Sequence, residues 1–139
     1  MSRGSAGRTQ KCSQEDARTR LRNARKFLEV AALVAGEGDD IEYSSQAAAL
    51  AVLAGIAASD AACCKALGRR SRGQDHREAA TLVEQITPGG KTAANSLRRL
   101  LNLKDEAHYG LFDVSGQDLK TALRQAENMV KFADKILAR

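Results

Sequence analysis

The sequence predicts an all-α protein, an antiparallel up-and-down bundle of four main helices plus one short helix. Three observations lead there. Between Ala47 and Ala58 the chain contains only Ala, Leu, Val, Ile and one Gly, and Ala and Leu are the strongest helix formers. Aromatic residues make up 4% of the chain, tryptophan is absent and there is one proline, so the core rests on aliphatic side chains. Apolar residues elsewhere recur at helical rather than alternating spacing, and there is no convincing strand.

The elements follow in order. Residues 1–12 (MSRGSAGRTQKC) are rich in Gly, Ser and Arg and are expected to form a disordered basic arm; residues 13–139 form a single domain. Ser13, with Asp16 at the third position, caps the first helix. Ala17, Leu21, Ala24, Leu28, Ala31 and Ala35 mark its buried face, and the GEGDD run at 36–40 ends it. Ile41 and Tyr43 tether the connection to the central helix. That helix begins near Ser44 or Ser45 and stops at Gly68, a C-cap glycine. Its apolar surface runs all the way round and requires neighbours on most sides. After the RRSRGQ loop, Asp75 and Glu78 form a capping box for a short third helix with the stripe Ala79, Leu82, Val83 and Ile86. Thr87-Pro88-Gly89-Gly90 terminates it.

The fourth helix runs from about Lys91 to His108. With Leu100 at the centre of its buried face, Ala93, Leu97, Leu101, Leu103 and Ala107 fall within about 100° of that centre, and so do Lys104 and His108. Ser115 with Asp118 opens the last helix. Leu119, Ala122, Ala126, Met129, Val130, Ala133 and Leu137 line its buried face, while Lys120, Arg124, Lys131 and Lys135 face water.

Several classes are excluded. The central apolar run stops at Ser59-Asp60, short of the roughly 20 apolar residues of a membrane span, and no apolar signal segment follows the basic N-terminus. The three cysteines are Cys12 and the adjacent pair Cys63-Cys64. Neighbours on a helix point about 100° apart and make neither a disulfide nor a chelate. An odd count without a C-x-x-C motif suits a reducing setting, so the expected location is cytoplasmic. Two distant histidines without matched ligand spacing give no metal site, and no Gly-rich phosphate loop or cofactor motif is present.

Charge points to anionic partners. Residues 1–26 hold eight Lys/Arg against Glu15 and Asp16, a balance of +6; with +5 for the whole chain, the other 113 residues sum to −1. A second cluster joins Lys65, Arg69, Arg70, Arg72 and Arg77 against Asp75. Such patches favour nucleic acid; the plainer alternative is a solubilising arm beside an ordinary basic loop. His76 stands in the first turn of the third helix. There it either joins an anion-binding surface or is a surface residue beside a cap.

Asp60 in the buried helix and Lys104 on the buried arc of the fourth need partners, because an isolated buried charge is costly. They are expected to pair with each other, or Asp60 with His108. The plainer alternatives are a fold-specifying ion pair, or a lysine snorkelling at the bundle's edge. The functional version is a polar cleft of Asp60, Lys104, His108 and Tyr109. In it Lys104 grips a phosphate and depresses the His108 imidazole pKa.

In sequence come a central helix, a basic Gly-containing loop and a helix opening Asp75-His76. LRRLLNLKDEAHYG and SGQDLKTALRQAENMVKFADKIL follow. In this order the chain resembles the HEPN superfamily over about residues 14–138. These are small helical bundles named for higher eukaryotes and prokaryotes and for nucleotide binding. Many are metal-independent ribonucleases of toxin–antitoxin, phage-defence or RNA-processing systems. Their signature is Arg followed four to six residues later by His, generally assembled across a dimer interface. His108-Tyr109 is similar to that motif's His and nearby Tyr, but Lys104 stands where the arginine is expected, and Arg98 and Arg99 are too far upstream. Arg70 and His76 have the spacing, in the preceding loop. The resemblance thus implies a homodimeric member without catalysis.

Three functions remain. One is a non-catalytic module that binds nucleic acid, RNA foremost, or nucleotide through the arm, the Arg69–Arg72 loop and the Lys104/His108 cleft. Another is a metal-independent endoribonuclease in which His108 transfers protons and Lys104 stabilises the phosphorane charge. The third is a component of a two-gene system whose apolar face recruits a protein partner. Few aromatics argue against recognition by base stacking, and no helix-turn-helix stands out. The binding module is the favoured reading.

Overall fold

Among the described residues, five helices arise where the apolar periodicity places them: α1 (Gln14–Ala35), α2 (Ser44–Leu67), α3 (Arg77–Val83), α4 (Gly90–Tyr109) and α5 (Gly116–Leu137). The structure, a computed structural model, describes residues 8–36, 43–73, 75–109 and 114–139, with backbone alone at 106–109. Two short strands, β1 (Thr9–Lys11) and β2 (Arg69–Ser71), pair antiparallel with Gln10 opposite Arg70.

Local chemistry sets the helix ends. Ser13 Oγ accepts from the Asp16 N–H at 3.0 Å, and Asp16 Oδ2 accepts from the Ser13 N–H at 2.8 Å, a complete capping box for α1. Ser115 caps α5 through the Asp118 N–H. Gly68 closes α2 in the left-handed conformation, φ 71°, its N–H donating to the Cys64 carbonyl. At α3 the box expected from Asp75 and Glu78 does not form. Asp75 Oδ1 accepts from the Arg77 N–H at 2.9 Å, the helix opens at Arg77, and the Glu78 carboxylate lies beside the Gly73 backbone.

Contacts at the helix ends fix the topology. Lys65 Nζ donates to Gln14 Oε1, so α2 ends where α1 begins. Ser44 Oγ donates to the Val114 carbonyl and the Val114 N–H donates to Ser45 Oγ, which places the start of α5 beside the start of α2. Arg139, beyond the far end of α5, reaches the Thr87 and Pro88 carbonyls just before α4. The four long helices therefore run up, down, up and down, with α3 folded back on α4 in the turn between α2 and α4.

At the centre, α2 touches every other helix. By length and composition it is apolar enough to cross a membrane, yet most of that stretch is buried among its neighbours, as in a core helix. Small side chains make the burial close. A Cβ on Gly55 would collide with Leu100 Cδ1 and touch Met129 Cγ. Leu100 and Met129 are both 0% exposed, so neither has room to swing away.

Two expectations need correction. The disordered arm does not extend to residue 12: Thr9–Lys11 form β1, and Cys12 is disulfide-bonded to Cys64 across 52 residues, with Cα atoms 5.3 Å apart. The Cys12 N–H donates to the Gly68 carbonyl and the Arg72 N–H to the Arg8 carbonyl, bracketing the ladder. A three-residue pairing has no readable period, and a bond between distant cysteines leaves no local spacing signal. Residues 1–7 and Ile41 lie outside the described residues. Lys104, in turn, is exposed rather than buried. Leu101 is buried and Leu103 only half-buried, so this end of the apolar stripe faces a cavity instead of a helix.

Gly55→Ala tests the central contact. Helix propensity favours Ala by up to about 1 kcal/mol, but overpacking costs about 1–3 kcal/mol. A net loss of about 1 kcal/mol is expected, read as a lower urea midpoint with an unchanged slope. A midpoint at or above that of the parent would show that Leu100 can move aside.

Candidate nucleic-acid interface

The ribbon lies beside the N-terminal half of α1, and a polar cavity of about 370 Å³ opens between them. Three segments distant in sequence each place a cation on its wall: Lys11 from β1, Arg20 from α1 and Arg70 from β2. Among the described residues, Arg70 is held only by neutral acceptors, Gln10 Oε1 at 3.3 Å and the Ser71 carbonyl at 3.4 Å. Among the described residues, Lys11, Arg20 and Arg70 make no salt bridge. The ion pairs there are Arg25–Asp134, Arg77–Asp105 at 2.8 Å and Arg98–Glu84 at 2.8 Å.

Among the described residues, Asp16 is the single carboxylate on the cavity wall. It is committed to the α1 cap, and the bond from the Ser13 backbone N–H holds its pKa below the ordinary carboxylate range. Asp60 of α2 is 8% exposed, and the countercharges it feels are Arg20 and Arg70. Burial outweighs their attraction and pushes its carboxyl up to about 6. The expected Asp60–Lys104 pair is absent among the described residues. Cys63, next to the bonded Cys64, is buried; burial first, then the Asp60 charge, pushes its thiol up to about 12. It stays protonated and unreactive.

The arginines of the loop do not act as one cluster, because successive strand residues face opposite sides. Arg70 turns to α1, while Arg69 donates to Gln85 Oε1 at 3.1 Å, just past α3. Arg72 is exposed beyond the ladder.

A second cavity, of about 420 Å³, brings His76 and Lys104 together against the apolar side chains of Val52, Leu53, Ile56 and Leu103. Partial burial, then the Lys104 charge, lowers the His76 pKa and leaves the imidazole neutral at pH 7. The cleft expected from Asp60, Lys104, His108 and Tyr109 is thus divided, Asp60 going with α1 and β2, and Lys104 with His76. The side chains of His108 and Tyr109 lie outside the described residues. Among the described residues no three His, Cys, Asp or Glu side chains gather as a metal site.

Sequence reading found Arg70 and Asp60 but not Lys11 or Arg20 as their companions. The one local signal was the basic residue four positions after the capping Asp16. No protein-family model and no curated protein sequence matches the chain.

Asp60 makes stability depend on pH. Its carboxyl titrates at about 6 when folded against an ordinary 3.8, so between these values the folded state binds more protons. The Asp60 contribution therefore falls as pH rises through this window. Asp60→Asn removes that slope. From near pH 4 to pH 7 the variant gains on the parent by on the order of 2–3 kcal/mol, measured by urea unfolding across the range. A pH-independent difference would rule Asp60 out as the titrating group.

Proposed function

We propose that the protein is a non-catalytic, HEPN-like module that holds nucleic acid, RNA foremost, by its phosphates against the ribbon and α1. The observation that carries this reading is the convergence of Lys11, Arg20 and Arg70 on one polar cavity. Phosphodiester oxygens need cations with donors to spare. A guanidinium held only by amide and carbonyl oxygens can exchange those for two parallel bonds to phosphate, a geometry that lysine lacks. Asn23 and Gln10 on the same wall supply neutral hydrogen-bonding groups suited to phosphate and sugar oxygens. Exposed Arg8 and Arg72, at the open end of the β1–β2 ladder, extend the positive charge for a longer strand to follow. Phosphate contact also fits a chain with few aromatic side chains for stacking. The endoribonuclease reading has less support, since Lys104 shares an apolar cavity with His76 rather than a cluster of phosphate-binding groups.

Mobility shift of labelled structured RNA without metal, at about 50 and 200 mM salt, tests this. Affinity is expected to fall at least tenfold over that range. Arg20→Ala with Arg70→Ala should weaken binding by roughly tenfold and flatten the salt slope by about 1–2. The RNA should stay intact, and Lys120→Ala, at the opposite end of the bundle, should change little. Binding indifferent to salt and to the double variant would overturn the reading.

A further inference from the structure

We propose that the Cys12–Cys64 disulfide is a reversible switch opened by a dithiol, which attacks Cys12, expels Cys64 and releases the strand that brings Lys11 to the phosphate site. The effect on binding rests on the phosphate-site reading; the thiol chemistry stands on its own.

The two sulfurs have different surroundings. Cys64 is 1% exposed within α2. Cys12 is half-buried on the wall of the polar cavity, with Lys11, Arg20 and Arg70. Attack therefore comes from the cavity onto Cys12, where the cations also favour a thiolate. A thiolate of the dithiol bonds to Cys12 Sγ; the S–S bond breaks, and its electron pair leaves on Cys64, which takes up a proton. The reductant's second thiolate then attacks its own sulfur in the mixed disulfide and frees Cys12. In sum, two electrons and two protons pass from the dithiol, which departs as a disulfide, to Cys12 and Cys64. Cys63 does not intervene, because it is buried and protonated.

Among the described residues, little besides this bond holds the strand. The β1–β2 ladder is three residue pairs long, with one further backbone bond at each end, and a two-stranded ribbon of that size is marginal by itself. The α1 cap at Ser13 and Asp16 lies immediately beyond Cys12 and does not depend on the ribbon. Opening therefore frees residues 8–11 while α1 keeps its start. Arg20 and Arg70 remain, Lys11 leaves, and Arg70 loses its Gln10 acceptor.

The test labels the full chain with a maleimide–polyethylene glycol and measures RNA affinity on the same samples, oxidised, treated with dithiothreitol and reoxidised. One label, on Cys12, is expected on the folded, reduced protein and none on the oxidised one, with helical circular dichroism unchanged. RNA affinity should fall roughly three- to tenfold, as for loss of one phosphate contact, and return on reoxidation. Oxidised Lys11→Ala should already show the reduced affinity, and Cys12→Ser should show it without dithiothreitol. A bond that resists dithiothreitol until the helices unfold overturns the switch and leaves the phosphate site standing. Equal affinity of both states, with the bond shown open, overturns it too. Absence of RNA binding in either state instead brings down the phosphate-site reading, and the gating of affinity with it.

Discussion

The close approach of α2 to α4 and α5 at Gly55 governs the rest of the molecule. An alanine-rich helix buries little apolar area per residue, so it must draw its neighbours in until larger side chains reach across. Leu100 and Met129 do this at Gly55, and Leu97, Val130 and Ala133 continue the same core. Density, more than side-chain size, then supplies the cohesion. The axis of α2 also decides where the chain goes next. Gly68 turns it directly into β2, so the position of the ribbon, and with it Arg70, is inherited from the core.

The charged side chains divide into two groups by what they touch. Arg25, Arg77 and Arg98 each meet a carboxylate from another part of the chain. These pairs are partly exposed and contribute little stability, but they orient helix against helix. Lys11, Arg20 and Arg70 are left without such partners in the described structure. Asp60, the carboxylate that faces Arg20 and Arg70 from the core, is itself held back from full ionisation by its burial. The ribbon side of the bundle therefore keeps its positive field.

Legibility in the sequence followed the range of the interaction. Caps are settled within four residues, so Ser13 with Asp16, Gly68, and Ser115 with Asp118 were readable as helix ends. Buried stripes were readable too, from Ala17 to Ala31 and from Leu119 to Ala133. Lys104 was misread because a helical angle says which side a residue takes, not whether a neighbour extends that far. Arg70 and His76 were identifiable by type and setting. Their companions Arg20 and Lys104 were not, since the packing of α1 and α4 brings them in. The ribbon and its disulfide were the least visible, being three residue pairs and one distant bond.

The disulfide has a mechanical consequence as well. It closes a covalent ring from Cys12 to Cys64 that contains all of α1 and most of α2. Tension on the two ends of the chain enters at Cys12 and passes straight to Cys64, skipping everything between. The 52-residue span would otherwise pay out roughly 170–190 Å of extended chain. While the bond is closed, that length is hidden, and a pulling force meets α3, α4 and α5 while the α1–α2 hairpin bears no load along its backbone.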